Sequence, residues 1–337
     1  MYRPDYTITE ALLARISNAE ALRTRILTAP VQVAWLEAIR IDALIRRAHF
    51  STAIEGNPLT LPEVQALAGT RQARVRDRAK QEVLNYLATL RWIARQPATT
   101  RVTEASLLKL HRLLMRGLLP PQHIGHYKRT ANVVMSAGRV VYRPPGPAAA
   151  KPGTRALIAW LEGPGHSMHP IVASACVHYE LARLHPFTDG NGRLARALAT
   201  WVLYHRGFDT EHLFAVDQYY KEDHEGYYAV LQRVDRADED LTSWMEYVAL
   251  AVEQTLQRTY ERIQHLALPR SARWLTLTRQ QERLVIELRG RGRATVADLQ
   301  RLLGVERVQV YRILRPLVAG GVIRKSTSRP VVYALST

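Results

Sequence analysis

The sequence predicts a mainly α fold: a helical N-terminal region, a helical core interrupted by one small β-hairpin, and a C-terminal winged helix-turn-helix. Three observations carry this. Apolar residues recur at helical spacing over most of the first 265 positions. Two β-branched runs flank a Gly-bearing turn at 131–143. From Thr278 the pattern changes to helix, tight turn, helix and two short strands.

In chain order, residues 7–50 and 60–95 read as amphipathic helices, with Leu12, Leu13 and Ile16, then Leu36, Ile39 and Ala43, on their apolar faces. Gly56, Asn57 and Pro58 stop a helix between them. Helical periodicity returns at 103–116 and 170–184. The Pro/Gly-rich stretch 144–153 reads as loop. Helices resume to about 265, and Pro269 marks a linker. Thr278 to Gln281 opens a helix with a capping-box pattern. Helices at 296–303 and 306–317 turn at Gly304, and strands follow at 320–323 and 330–335. Pro316 is expected to end or kink the second of these helices. Three domains are expected: 1–97, 98–265 and 270–337.

The 337 residues carry 47 Lys and Arg against 30 Asp and Glu, a net +17. Residues 270–337 hold 14 basic and 4 acidic residues, about +10 of that total. Such an excess points to an anionic partner, nucleotide phosphate or nucleic acid, or to a merely solvated basic surface. The single cysteine, Cys176, excludes an internal disulfide and any multi-thiolate metal site. No secretory signal and no long apolar span are read in the sequence, so a cytoplasmic protein without a membrane partner is expected.

The chemistry is concentrated in His185-Pro186-Phe187-Thr188-Asp189-Gly190-Asn191-Gly192-Arg193-Leu194-Ala195-Arg196. Pro186 disfavours helical geometry just before it, so the preceding helix should end and expose His185. Gly190 and Gly192 let the backbone approach a ligand. A new helix begins there, with Leu194, Leu198, Trp201, Val202 and His205 as its expected buried stripe, and its N-terminal amides favour an anion. Arg193 and Arg196 are expected to point at phosphate oxygens. Asp189 is a hard oxygen ligand suited to magnesium shared with phosphates. His185 has the pKa of a general base near neutral pH. A base, a metal ligand and an anion cradle in one loop suit phosphoryl or nucleotidyl transfer.

This run resembles the signature of the Fic family, HPFx(D/E)GNGRxxR, and matches it at every fixed position. The resemblance implies a helical core that transfers AMP from ATP, with Mg2+, to a Tyr, Ser or Thr hydroxyl of a target protein. By the family's roles His185 deprotonates the hydroxyl, and Asp189 holds magnesium. Gly190, Asn191, Gly192 and Arg193 line the anion hole, and Arg196 grips the γ-phosphate. The hairpin, including Val133, Val134, Met135 and Ser136, takes the place of the family's flap, which docks an extended target segment. Its lead-in, Gly125-His126-Tyr127-Lys128, resembles the family's G-x-Y-R with Lys for Arg.

Ser51 to Asn57 resembles the family's inhibitory motif, (S/T)xxxE(G/N), which implies that Glu55, with Ser51, pairs with Arg196 and restrains the site in cis. Release by a homo-oligomeric or target contact belongs to the same expectation. Tyr227 and Tyr228, followed by Leu231, resemble the segment around the adenine; at helical spacing they read equally as core. Related enzymes of this fold remove AMP, which would make Glu55 a hydrolytic base, or move other phosphate-containing groups. A DNA-binding regulator acting through residues 278–337, with a nucleotide-sensing Fic core, is the reading of a different class. Arg307, Gln309 and Arg312 would be its exposed face. Cys176 with His178 is poorly placed for a nucleophilic pair, and His111, His123, His126, His166 and His169 lack metal-ligand spacing.

Overall fold

A computed structural model describes residues 2–29, 33–69, 75–136, 138–208, 212–236, 239–266, 278–319, 322–326 and 331–335. It divides into two compact units, one of residues 1–28 and 36–262, the other of residues 29–35 and 263–337.

The first unit is built from helices. The single helix expected over 7–50 is two, α1 (Glu10–Leu27) and α2 (Val33–Ile54). Thr9 caps α1 by accepting the Leu12 N–H. Leu12 is buried, but Leu13 is 57% exposed, because the apolar face of α1 turns on Leu12, Ala19, Leu22 and Ile26. The expected 60–95 helix is likewise two, α3 (Leu61–Ala68) and α4 (Arg78–Ala94). Then follow α5 (Glu104–Met115), the antiparallel hairpin β1 (Val134–Ser136) and β2 (Arg139–Tyr142), and α6 (Pro147–Glu162). The stretch expected as loop at 144–153 is therefore mostly helix, from Pro147 onward. Pro147 sits at the helix start, where its missing N–H costs nothing, and three alanines follow. Gly153 on α6 has a packing role: a Cβ there would lie 2.7 Å from a Leu184 methyl.

At the centre, α7 (Pro170–Leu184) and α8 (Asn191–His205) pack most extensively against each other. Each has 12 of its 15 residues buried, so α8 shows no single stripe; its expected stripe members Leu194, Leu198, Trp201 and Val202 are buried, and His205 is half-buried. A helix surrounded by others must be apolar, or internally paired, all round. The unit closes with α9 (Val216–Glu222), α10 (His224–Arg236) and α11 (Thr242–Leu266).

The second unit contains α12 (Arg279–Arg291), β3 (Ala294–Thr295), α13 (Val296–Leu303), α14 (Arg307–Ala319), β4 (Ile323–Lys325) and β5 (Val332–Leu335), with sheet order β3-β5-β4. Its core includes Leu284, Leu288, Leu299, Val310, Leu314, Leu317 and Tyr333. This is a winged helix-turn-helix. The capping box of Thr278 and Gln281 forms as expected. α14 is not ended by Pro316 and runs to Ala319, two residues beyond the expected 317; burial of Leu314 and Leu317 on either side holds the turn that the proline weakens. Pro269, Gly320, Gly321 and Pro330 lie outside the described residues. No helix among the described residues is long and apolar enough to cross a membrane.

Trp201 is fully buried and meets the edge of Trp92 at 5.2 Å. Trp201→Ala is expected to cost about 3–5 kcal/mol, read as a lower denaturant midpoint in equilibrium unfolding.

Candidate active site

The loop between α7 and α8 takes its shape from the residues that end one helix and begin the next. Ahead of Pro186, His185 adopts a left-handed conformation (φ 46°, ψ 55°) and terminates α7. Gly190, at φ 81°, opens α8; a Cβ there would also strike the Met115 sulfur at 2.5 Å. Between them Asn191 closes the loop on itself, accepting the Phe187 N–H at 2.9 Å and donating to the Phe187 carbonyl at 2.9 Å. The Asn191 side chain is thus a clamp on the loop, and what it offers an anion is its backbone. Asn191 still borders the cavity, but its buried side-chain amide satisfies its own hydrogen bonds within the loop.

The imidazole of His185 donates from Nδ1 to the Ala182 carbonyl at 2.8 Å. The ring is then protonated on Nδ1, and Nε2 is the acceptor left for the adjoining cavity. Burial holds its pKa below the ordinary imidazole value, with Lys128 working in the same direction. That cavity measures about 310 Å³. Its walls include His185, Asp189 to Gly192, Arg196 and Glu55, the hairpin residues Val133, Val134, Met135 and Tyr142, and Tyr227, Tyr228 and Leu231 of α10. The structure thus gathers almost all the residues singled out in the sequence around one space. Val133 precedes β1 and does not pair within it; the side chain of Ser136 lies outside the described ones.

Arg193 and Ser51 are exceptions. The Arg193 guanidinium turns from the cavity to Glu82 of α4, with Asp189 at 3.4 Å, and it is absent from the cavity wall. A buried guanidinium needs a carboxylate, and Glu82 supplies one 111 residues away in sequence. Asp189 uses Oδ1 to accept the Gly190 N–H at 2.5 Å; its side chain is 44% exposed, and Oδ2 has no protein partner among the described residues.

Arg196, only 2% exposed, is held on three sides. It donates from Nε to the Ser51 hydroxyl at 2.8 Å, and from Nη2 to the Ser51 carbonyl at 2.9 Å and to Glu55 at 2.7 Å. Asp217 stands 3.7 Å from its Nε. Ser51 ends within α2 and Glu55 follows its last residue, Ile54. Burial acts to raise the Glu55 carboxyl, but Arg196 and Arg193 hold it below the usual carboxylate range. One Glu55 oxygen lies 2.5 Å from where a Cβ of Gly192 would stand, so it lies directly over the first turn of α8.

Tyr227 and Tyr228 both line the cavity, and Tyr227 is also core. Tyr227 is buried in a cluster with Tyr220 and Trp244, and its hydroxyl meets His178 Nε2 at 2.9 Å. Cys176 is a buried free thiol.

Sequence spacing missed the braces of the loop. His111 accepts the Gly125 N–H on Nδ1 at 2.8 Å, donates from Nε2 to the Asp189 carbonyl at 3.0 Å, and stacks on Phe187 at 3.9 Å. Lys128 donates its backbone N–H to the Pro186 carbonyl at 2.9 Å and its ammonium to Asn132 at 2.7 Å; Asn132 in turn donates to the Phe187 carbonyl. Glu82, Asp217 and His111 had no local signal. Only the Gly125 to Lys128 resemblance touched this bracing segment. Among the described residues no group of three His, Cys, Asp or Glu side chains is placed to hold a metal.

Comparison with known proteins places this loop in a wider class. Residues 101–203 match the Fic/DOC family. The chain carries a Fic domain. Residues 283–336 match the family described as sugar-specific transcriptional regulator TrmB, compatible with the winged helix. Among curated relatives, the protein adenylyltransferase Fic of Drosophila ananassae is 29% identical over 276 residues, covering 73% of this chain and 52% of its own. That of Nematostella vectensis is 28% identical over 220 residues, covering 64% and 48%. The chain thus spans about half the length of these relatives. The crystal structure of a Fic family protein from Desulfovibrio desulfuricans G20 is similar over 99% of this chain and 98% of its own, with 28% identity and a TM-score of 0.72. Fic-1 of C. elegans shares the fold at a TM-score of 0.62 and 24% identity, over 75% of this chain and 73% of that one. The Fic match spans the hairpin, His111 and the loop but stops short of Glu55 on its N-terminal side.

Burial lowers His111 from 6.5 to about 4. A neutral imidazole in the fold and an ordinary one in the unfolded chain means stability is fully present above about 6.5 and is lost as the pH falls toward 4. His111→Gln is expected to flatten that part of the stability–pH curve, and His111→Ala to cost about 1–3 kcal/mol by orphaning two backbone groups; denaturant melts at pH 4–7 read both.

Proposed function

We propose that this protein is an adenylyltransferase moving AMP from ATP to a Tyr, Ser or Thr hydroxyl of a target protein, restrained in cis by Glu55. The observation that carries the reading is His185: its Nδ1 proton is committed to the Ala182 carbonyl, and its ring borders the cavity over the N-terminus of α8. In the proposed reaction Nε2 takes the hydroxyl proton and the freed oxygen attacks the α-phosphorus in line. The bond from that phosphorus to the bridging oxygen breaks, and pyrophosphate leaves. The amides of Gly190 to Gly192 and the positive end of α8 favour the polyphosphate, with Arg196 beside it. The relatives' names supply the reaction; the geometry supplies residues suited to it.

The residues present fit a magnesium ion. Asp189 offers a hard carboxylate oxygen at the mouth of the anion site, and phosphates and water would complete the usual six ligands. Bound there, magnesium would offset charge on the phosphates.

The cis brake follows from competition for one positive site. Glu55 pairs with Arg196 and lies over Gly192, in the space a phosphate would need. Replacing it frees both the guanidinium and the helix end.

A second activity is assigned to the winged helix, that of binding duplex DNA. Arg307, Gln309 and Arg312 are exposed on α14, and Arg291, Arg293, Arg324 and Lys325 surround a groove of about 560 Å³ beside the wing.

His185→Ala is expected to lower transfer by about 10²–10⁴-fold with ATP binding retained, measured with labelled ATP and by calorimetry. Undiminished labelling rejects the base. Glu55→Gly is expected to raise automodification about tenfold or more; an unchanged level in a folded variant rejects the brake. Because burial lowers the His185 pKa, the base stays neutral to more acid pH, and the acid limb of the rate profile of Glu55→Gly should fall below 6.5.

A further inference from the structure

Between Glu104 and Glu162 the chain holds nine Lys and Arg residues and not one Asp or Glu. These nine and the ten net charges of residues 270–337 together exceed the whole +17, so the remainder of the chain is slightly acidic. The basic excess of the Fic-bearing part is therefore confined to α5, the hairpin and the start of α6. Three of these cations belong to the hairpin and its flanks: Arg129, Arg139 and Arg143. All three are exposed, and none makes an ion pair among the described residues. Arg155, by contrast, is spent on Glu104 at 2.9 Å.

These charges lie on and beside the hairpin that walls the cavity. Across the ladder Val134 faces Tyr142 and Ser136 faces Arg139, with an irregularity at Val141. Cross-strand partners share a sheet face, as do alternate residues of one strand. Arg139 shares β2 with Val141 and Tyr142, which line the cavity together with Val134 and Met135 of β1. Arg143 directly follows Tyr142, and Arg129 lies three residues before the cavity-lining Asn132. Arg139 and Arg143 are about 13 Å apart along an extended chain. The two carboxylates of the cavity wall, Glu55 and Asp189, point to Arg196 and to the loop and do not neutralise this rim.

We propose that the hydroxyl modified at this site is presented on an extended, acidic polypeptide segment, with Asp or Glu within about two residues on each side of it. This rests on the transfer reading above and names its substrate class. A strand laid along the hairpin gains backbone hydrogen bonds that carry no sequence preference. Its flanking side chains meet Arg139 and the two arginines beside the hairpin, and opposite charges there select the partner. Exposed pairs are individually weak, so three of them amount to about a tenfold preference.

The test uses the full chain carrying Glu55→Gly and fluorescent peptides with a central Tyr, Ser or Thr and acidic, neutral or basic flanks. Binding is read by anisotropy without nucleotide, and transfer with labelled ATP. Acidic peptides are expected to bind and to be labelled about tenfold better than basic ones. Arg129→Glu, Arg139→Glu and Arg143→Glu together should invert the order, and the corresponding Gln triple should level it. Equal affinities, or an order that survives both triples, overturns the proposal. So does a raised ATP KM in the Glu triple with the peptide order intact, since the cations would then be steering nucleotide. Because binding is read without ATP, an absence of transfer to every peptide and to the chain itself would reject the transferase reading while the charge preference is decided independently.

Discussion

The Arg196 guanidinium lies almost wholly out of water at the end of the protein's most enclosed helix pair. A charge in that position must be met by carboxylates and hydrogen-bond acceptors, or the desolvation cost would unfold the site. Ser51, Glu55 and Asp217 meet it. Asp217 is itself buried, near Arg47 at 3.8 Å and Tyr86 at 3.4 Å. The end of α2, the start of α9 and the second turn of α8 are therefore tied through one cation. The contact proposed as a brake is part of what makes the fold possible, and Asp217 and Ser51 remain as partners when Glu55 is taken away.

The loop itself is held by groups from elsewhere. His111, Lys128 and Asn132 bond to the carbonyls of Asp189, Pro186 and Phe187, and Phe187 is sandwiched between the rings of His111 and Tyr127. Such bracing suits the proposed transfer, whose chemistry is mostly positioning. An imidazole with one nitrogen committed and a helix terminus fixed in space need no rearrangement when charge develops. The same economy explains why Arg193 is turned inward. Paired with Glu82 it anchors α8 to α4, and the guanidinium at the cavity wall is that of Arg196.

Charge is partitioned as well as placed. Two segments carry the basic excess, the hairpin-bearing stretch and the winged helix, while the remaining residues nearly balance. Both face polyanionic partners in the functions proposed, and each presents exposed arginines.

The sequence by itself determined everything that depends on neighbours in the chain. Pro186 and Gly190 set where α7 ends and α8 begins; Val134 and Tyr142 marked the hairpin; Thr278 and Gln281 marked a helix start. His185, Asp189 and Arg196 could be read as a site because the signature is short and contiguous. What the tertiary structure decided are pairings between residues far apart: Glu82 with Arg193, Asp217 with Arg196, His111 with the Asp189 carbonyl. No local pattern announces them, because the requirement they answer, a partner for each buried charge or amide, exists only once the helices have closed around it. For the same reason the sequence overstated Leu13 and mistook the start of α6 for loop. Propensity speaks for a segment in water, and packing overrules it when the flanking apolar residues have a core to enter.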